Sequence, residues 1–233
     1  VAGLPLLEAK GPKRLLLNAV EKLTYASATR ILPNSFVLRD IIIEGKFCSK
    51  NKLEVIGNGS SNGIDTEHYD RKKVAPEHID ALKKQLEVTP QDTVFLFIGR
   101  IVKDKGINEL VEAFDDISKS HSNTKLLIVG PSEKELDPID DTTEDLIKSN
   151  KNIHETGMVE DIRPYVAISD VLTFPSYREG FPNVVLQASC METPCIVTDI
   201  IGCNEITSET FHGLIIPVKD IFALKKAMLN QYN

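Results

Sequence analysis

The strongest constraint on this chain is an alternation that begins near residue 93 and runs almost to its end. Six short runs rich in β-branched and apolar residues, TVFLFIG (93–99), KLLIVG (125–130), IHETG (153–157), VLTFP (171–175), CIVTD (195–199) and GLIIP (213–217), read as strands. Between them lie INELVEAFDDISKS (107–120), DIRPYVAIS (161–169) and PNVVLQASCME (182–192), whose apolar residues recur at helical spacing. Strands that alternate with helices predict parallel βαβ units, because a parallel pairing needs a long crossover and the crossover is right-handed. The expected fold class is α/β, an open, doubly wound parallel sheet with helices on both faces. In such sheets ligands bind beyond the carboxyl ends of the strands, so the loops that follow the strands are where chemistry is sought.

The first sixty residues read differently. A helical stretch carries Leu15, Leu16, Leu17, Val20 and Leu23, followed by a short strand-like RILPN at 30–34. A second helix is expected from Ser35, a good N-cap, through Val37, Leu38, Ile41 and Ile42, and LEVIG at 53–57 reads as another strand. The turn-forming NGSSNGID at 58–65 marks a boundary, which divides the chain into 1–60 and 61–233. The chain opens at Val1 in mid-pattern and ends at LNQYN within a helical pattern, so it is read as a piece of a longer protein. Residues 10–22, KGPKRLLLNAVEK, are basic and amphipathic, and the reading preferred over a membrane-surface helix is a helix packed on a core with a solvated face.

Composition narrows the function. With 42% hydrophobic and 26% charged residues a packed core is expected, and 27 Lys+Arg against 34 Asp+Glu give a net charge of −7. That balance offers no long-range attraction to a nucleic-acid backbone, so no nucleic-acid partner is expected. No apolar run is long enough to span a bilayer, and a soluble, cytoplasmic protein is expected. Cys48, Cys190, Cys195 and Cys203 form no CxxC pair, which fits a reducing compartment. Asn58-Gly59-Ser60 is formally a glycosylation sequon but reads as turn chemistry. His68, His78, His121, His154 and His212 lack metal-ligand spacing and are expected at the surface or in ordinary packing. Only His154, on a strand near the expected ligand, invites attention.

Two loops carry the chemistry. After FLFIG come Arg100, Lys105 and Gly106, with a helix starting near Asn108. An Arg that can hold two phosphate oxygens, a mobile Lys and free helix amides together suit a diphosphate, although two solvated surface charges would look the same in sequence. The second loop is PSYREGFPNVVLQA, from Pro175 to Ala188. Pro182 suits a first helical position, so a helix is expected from Phe181 or Pro182, leaving the amides of Asn183, Val184 and Val185 to face an anion. Glu179 precedes that helix and Gln187 lies over a turn further along it, each placed to meet hydroxyl groups. Taken singly, Glu179 is equally readable as a carboxylate stabilising the helix start and Gln187 as an ordinary polar residue. The glycine-rich stretch from Gly57 to Gly63 is GxGxxxG rather than GxGxxG and enters no apolar helix, and GxxxxGK[ST] does not occur.

The order and spacing of GLP, VIGNGSSNGID, FIGRIVKDKGI, IVGP, ETGMVEDI, PSYREGFPNVVLQA, TPCIVTDIIGCNEI and GLIIP resemble the C-terminal half of a retaining glycosyltransferase of family 4, bacterial and of the capsular or surface-polysaccharide type. The resemblance covers nearly the whole chain. It implies a GT-B fold, with 61–233 as a Rossmann-like nucleotide-sugar domain and 1–60 as the end of a preceding acceptor domain. It also implies that Arg100 and Lys105 bind the donor diphosphate and that Glu179, first carboxylate of the family's E(x7)E motif, contacts the transferred sugar. These three form the implied catalytic set. Main-chain amides from Gly180 through Phe181, Asn183 and Val184 to Val185 would hold sugar and phosphate, with Met158 and Val159 lining the base pocket. The motif's second Glu is Gln187 here, which can hydrogen-bond a ribose diol without charge assistance and cannot serve as a base.

The resemblance implies transfer of a sugar from a nucleoside-diphosphate donor, UDP-linked by expectation, to a polysaccharide or lipid-linked glycan acceptor with retention of configuration. No resident cofactor and no metal are required, since cationic side chains and a helix start already face the diphosphate. The acceptor site, the family's His or Asp and any peripheral contact with the inner face of the cytoplasmic membrane would belong to the absent N-terminal part. This chain alone is therefore expected to be inactive. Alternatives are a GT-B nucleotide-sugar epimerase, which needs an acid/base pair beyond Glu179, and a noncatalytic nucleotide-sugar-binding subunit, raised by Gln187.

Overall fold

The computed structural model describes residues 1–7, 9–135, 137–207 and 213–232; His212 lies outside them. All six expected strands form, as β1 (Thr93–Ile98), β2 (Thr124–Val129), β3 (Ile153–Gly157), β4 (Val171–Phe174), β5 (Cys195–Thr198) and β6 (Gly213–Ile216). Every pairing is parallel and the order is β3-β2-β1-β4-β5-β6. The helices, in chain order, are α1 (Gly11–Ser27), α2 (Phe36–Glu44), α3 (Pro76–Gln85), α4 (Ile107–Ser120), α5 (Asp141–Ser149), α6 (Arg163–Ile168), α7 (Asn183–Cys190), α8 (Cys203–Ile206) and α9 (Ile221–Asn230). Residue contacts divide the chain into two units, Val1–Gly63 with Glu179–Asn183, and Ile64–Arg178 with Val184–Asn233.

The larger unit contains the sheet. β2 is buried along its whole length and β1 at all but its last residue, as expected of central strands covered on both faces, which explains their unbroken apolar runs. α4 coincides with the sequence segment that announced it, and Ile107, Leu110, Val111, Phe114 and Ile117 all point to the core. At 100° per residue these positions share one face, and burying each such side chain contributes about 1.5–3 kcal/mol relative to exposure. Phe114 meets Phe95 of β1 edge to face, with ring centroids 6.2 Å apart. The helices the apolar pattern does not announce are α3, α5 and the short α8. α3 and α5 have one buried residue each, Leu82 and Thr143, while Ile79, Leu146 and Ile147 pack half-buried against the core.

The smaller unit departs from expectation in two places. RILPN and LEVIG do not become strands; they leave a single parallel bridge, Ile31 to Leu53. Pro33 has no N–H to donate and the cap of α2 follows at once, so the pairing cannot extend. That cap is as expected, with the Ser35 hydroxyl accepting from the Leu38 amide at 3.0 Å. The second departure is α1. Its apolar side faces solvent, with Leu15 72%, Leu16 64%, Val20 50% and Leu23 71% exposed, and Tyr25 is its buried residue. The expectation of a core-packed apolar face is thus overturned. Tyr25 projects about 140–160° from Val20 and Leu23, and α1 is held from that side. Tyr25 packs edge-on against Phe47 at 6.4 Å, and the Lys52 ammonium donates to the carbonyls of Tyr25, Ala26 and Ala28 at 2.8–3.1 Å.

Candidate functional site

The strand order reverses between β1 and β4, so the loops leaving these two strands flank the topological switch point, where doubly wound sheets bind ligands. Arg100 follows β1 and donates to Glu133 Oε2, in the loop after β2, at 2.9 Å. The two side chains are 46% and 30% exposed, and an ion pair so placed is worth about 0–1 kcal/mol, so an arriving phosphate can draw the guanidinium away cheaply. The chain next makes a 3-10 turn at Lys103–Lys105 and enters α4 through Gly106, whose φ is 72°. A Cβ on Gly106 would stand 2.2 Å from the Pro175 carbonyl oxygen. Glycine is what lets this loop lie against the exit of β4.

That exit is tied to the same loop. The Tyr177 amide donates to the Asp104 carbonyl at 2.8 Å, and Arg178 donates through Nε and Nη2 to Asp104 Oδ2 at 3.0 and 2.9 Å. The Tyr177 hydroxyl donates to Glu109 Oε1 at 2.6 Å; burial and this bond raise its pKa above the usual phenol value. The Thr198 hydroxyl, on β5, donates to the Ser176 carbonyl. The two loops named by the sequence therefore form one hydrogen-bonded body as far as Arg178. Asp104, Glu109, Tyr177 and Arg178, which bind it together, escape sequence reasoning, because bonds between side chains from distant loops follow no spacing rule.

The exit of β3 carries Met158 and Val159. Met158 is 83% exposed, whereas Val159 packs half-buried against the core, so the pair offers one wall residue and one side chain in solvent. Asp161 accepts from the Arg163 amide at 2.9 Å and from Arg163 Nε and Nη2 at 2.9 and 2.7 Å, which holds its carboxyl below the ordinary aspartate pKa. Val184 is half-buried on α7, and Gln187 donates through Nε2 to the Tyr69 hydroxyl at 2.7 Å. Tyr69 lies just beyond the NGSSNGID turn, in a stretch that carries no motif. His154 is less close to this edge than expected. Its ring lies in mid-strand with Lys125 and Glu87 as its charged neighbours; burial lowers its pKa, and Nε2 has no partner among the described residues.

Glu179, Gly180, Phe181 and Asn183 belong by contacts to the smaller unit. There the NGSSNG turn holds the segment that bears them. Gly59, at φ 98°, has the Phe181 ring 2.9 Å from where a Cβ would be, and the Ser60 hydroxyl donates to Asn183 Oδ1 at 3.5 Å. A Cβ on Gly180 would fall 1.8 Å from the Ala2 carbonyl oxygen, so this position admits only glycine. α7 begins at Asn183, slightly later than the expected start at Phe181 or Pro182. The amides of Asn183, Val184 and Val185 still form its first turn and have no carbonyl four residues back within the helix.

Comparison with known proteins adds three findings. Residues 78–231 match the family model described as Glycosyl transferases group 1. The capsular polysaccharide biosynthesis glycosyltransferase CapM of Staphylococcus aureus is 34% identical over 226 residues, 96% of this chain and 57% of CapM. Among solved structures, a glycosyltransferase from Rickettsia africae ESF-5 superposes with a TM-score of 0.79 at 21% identity, over 91% of this chain and 56% of that one. Anabaena Alr3699/HepE in complex with UDP and glucose also superposes at 0.79, with 19% identity, over 97% of this chain and 59% of that one. This chain therefore spans little more than half the length of these three proteins.

Proposed function

Because this chain belongs to the group 1 glycosyl transferases, we propose that it is the donor-binding part of a retaining enzyme that moves a sugar from a nucleoside diphosphate, preferably UDP, to a polysaccharide or lipid-linked glycan. The observation that carries this reading is the pair of loops at the switch point, with Arg100 and Lys105 on one and the other leading through Arg178 to Glu179. The UDP bound by Alr3699/HepE supports the choice of nucleotide. The matched family and CapM lend no support to the epimerase or noncatalytic alternatives.

As the bond from the sugar to the diphosphate breaks, negative charge grows on the leaving phosphate. Arg100 and Lys105 are assigned to stabilise it, a task in which removing one aligned donor commonly costs 10²–10³ in rate. Glu179 is assigned to the sugar hydroxyls, the first-turn amides of α7 to the sugar and phosphate, and Val159 with Met158 to the base. The incoming hydroxyl attacks from the face the phosphate leaves, and the phosphate oxygen takes its proton. The exposed leucine stripe of α1 and the lone Ile31–Leu53 bridge support reading residues 1–60 as the tail of a larger acceptor domain. Acceptor binding and contact with the inner face of the cytoplasmic membrane are assigned to the remainder of the longer protein. No described helix is long and apolar enough to cross a membrane. Turnover of UDP-glucose and UDP-N-acetylglucosamine by the full-length enzyme tests the assignment: Lys105→Ala is expected to lower kcat at least a hundredfold, and undiminished turnover would refute it.

A further inference from the structure

A glutamine that reads a diol has a problem a carboxylate lacks. A carboxylate accepts with either oxygen whichever way it turns, whereas an amide accepts with one end and donates with the other. Gln187 is half-buried on α7, and something must choose which end faces a ligand. We propose that Tyr69 is the positioning residue that makes this choice: its hydroxyl holds Gln187 Nε2 at 2.7 Å, which leaves Oε1 to accept from a ribose hydroxyl of the nucleotide. This rests on the donor-site reading above and assigns the means by which the same site distinguishes ribose from deoxyribose.

Tyr69 is itself fixed before any ligand arrives. The Asp65 carboxylate accepts from the amides of Glu67 and His68 at 3.0 Å each, and the Tyr69 amide donates to the Asp65 carbonyl at 3.0 Å. The His68 ring meets the Tyr69 ring edge to face at 4.9 Å, and Arg163 donates to the His68 carbonyl at 3.2 Å. Two residues beyond Tyr69, the Arg71 guanidinium donates to the Ala167 carbonyl at 2.5 Å and to the Met191 carbonyl at 3.5 Å, which secures the loop to the end of α7. The helix that presents Gln187 and the loop that presents Tyr69 are thus held together independently of the bond between them. Under these conditions the 2.7 Å bond holds the Gln187 amide in place with Nε2 on the hydroxyl and Oε1 left to accept.

The test is calorimetric titration of this chain with UDP, 2′-deoxy-UDP and 3′-deoxy-UDP. The unaltered chain is expected to prefer UDP over at least one deoxy nucleotide by about five- to tenfold, as a lost neutral hydrogen bond implies. Tyr69→Phe keeps the ring and is expected to shrink that preference to about twofold or less, with affinity for the deoxy nucleotide unchanged. Gln187→Ala should do the same, and adding Tyr69→Phe to it should change nothing more. Gln187→Glu, whose oxygens both accept, should restore the preference in the Tyr69→Phe background. If Tyr69→Phe keeps the original preference, or weakens all three nucleotides equally, the assignment is overturned. Binding that depends on Lys105 but ignores the ribose hydroxyls overturns the role of Tyr69 alone. A chain that binds none of the three, or binds them undiminished in Lys105→Ala, overturns the donor-site reading and this inference together.

Discussion

α4 and α1 are both amphipathic, and they end in opposite conditions. α4 buries its whole apolar face, from Ile107 to Ile117, against a sheet that the same unit supplies. α1 leaves Leu15, Leu16, Val20 and Leu23 in solvent and is held by its other side, through Tyr25 and the three carbonyls that Lys52 caps. Periodicity foretells a helix in both cases. Which side is covered depends on whether an apolar surface of the right shape exists elsewhere in the chain. The larger unit supplies one; among the described residues of the smaller unit Ile31 and Leu53 form a bridge rather than a sheet, and the leucines of α1 stay exposed.

The contrast can be broken at several points. The largest effect is expected at Phe114, where replacement by Ala in a closely packed core should cost about 3–5 kcal/mol. A denaturant midpoint that hardly moves would mean that α4 is not the anchor described. Lys52→Met should be milder, about 1.5–3 kcal/mol, because it removes charged donors from the end of α1. Hydrogen exchange should quicken in α1 and not in β1 or β2; equal acceleration in both would erase the distinction between the units.

A third effect depends on pH. Burial lowers the pKa of His154, so the folded state favours the neutral ring. The stability this confers is present above the unfolded value of 6.5 and is lost as pH falls through the lower folded value. Between those limits the slope should not exceed about 1.4 kcal/mol per pH unit, and His154→Gln should flatten it. A variant whose melts keep the same pH dependence would place the titrating group elsewhere. The smallest effect should come from the exposed stripe, where Leu16→Glu or Leu23→Gln is expected to stay within about 0.5 kcal/mol. A loss above about 1 kcal/mol would show that this face is covered in solution, and α1 would then resemble α4 after all.

Much of the larger unit was legible because β1 and β2 are covered on both faces and so must be apolar along their length. The position of Arg100, Lys105 and the 175–188 segment at the ends of β1 and β4 was legible for a related reason, since the strands themselves were. Tyr69 was not, because its role comes from one hydrogen bond to a helix 118 positions away in sequence. Arg178 likewise reads as one more loop charge until Asp104 is seen beside it. The expected strands at 30–34 and 53–57 failed for a different reason: their β-rich composition was real, but Pro33 and the Ser35 cap left no length over which to pair.

By itself, then, the amino-acid sequence determined the strands of the α/β sheet, their parallel sense and the loops that leave them. These follow from local steric preference and from the periods of apolar residues, which act within a few positions. Tertiary structure decided the order β3-β2-β1-β4-β5-β6, which sets the switch point between β1 and β4, the partners that hold Arg100 and Gln187, and the exposure of α1. Each of these depends on groups distant in sequence meeting at hydrogen-bonding or van der Waals range, and no local pattern encodes that distance.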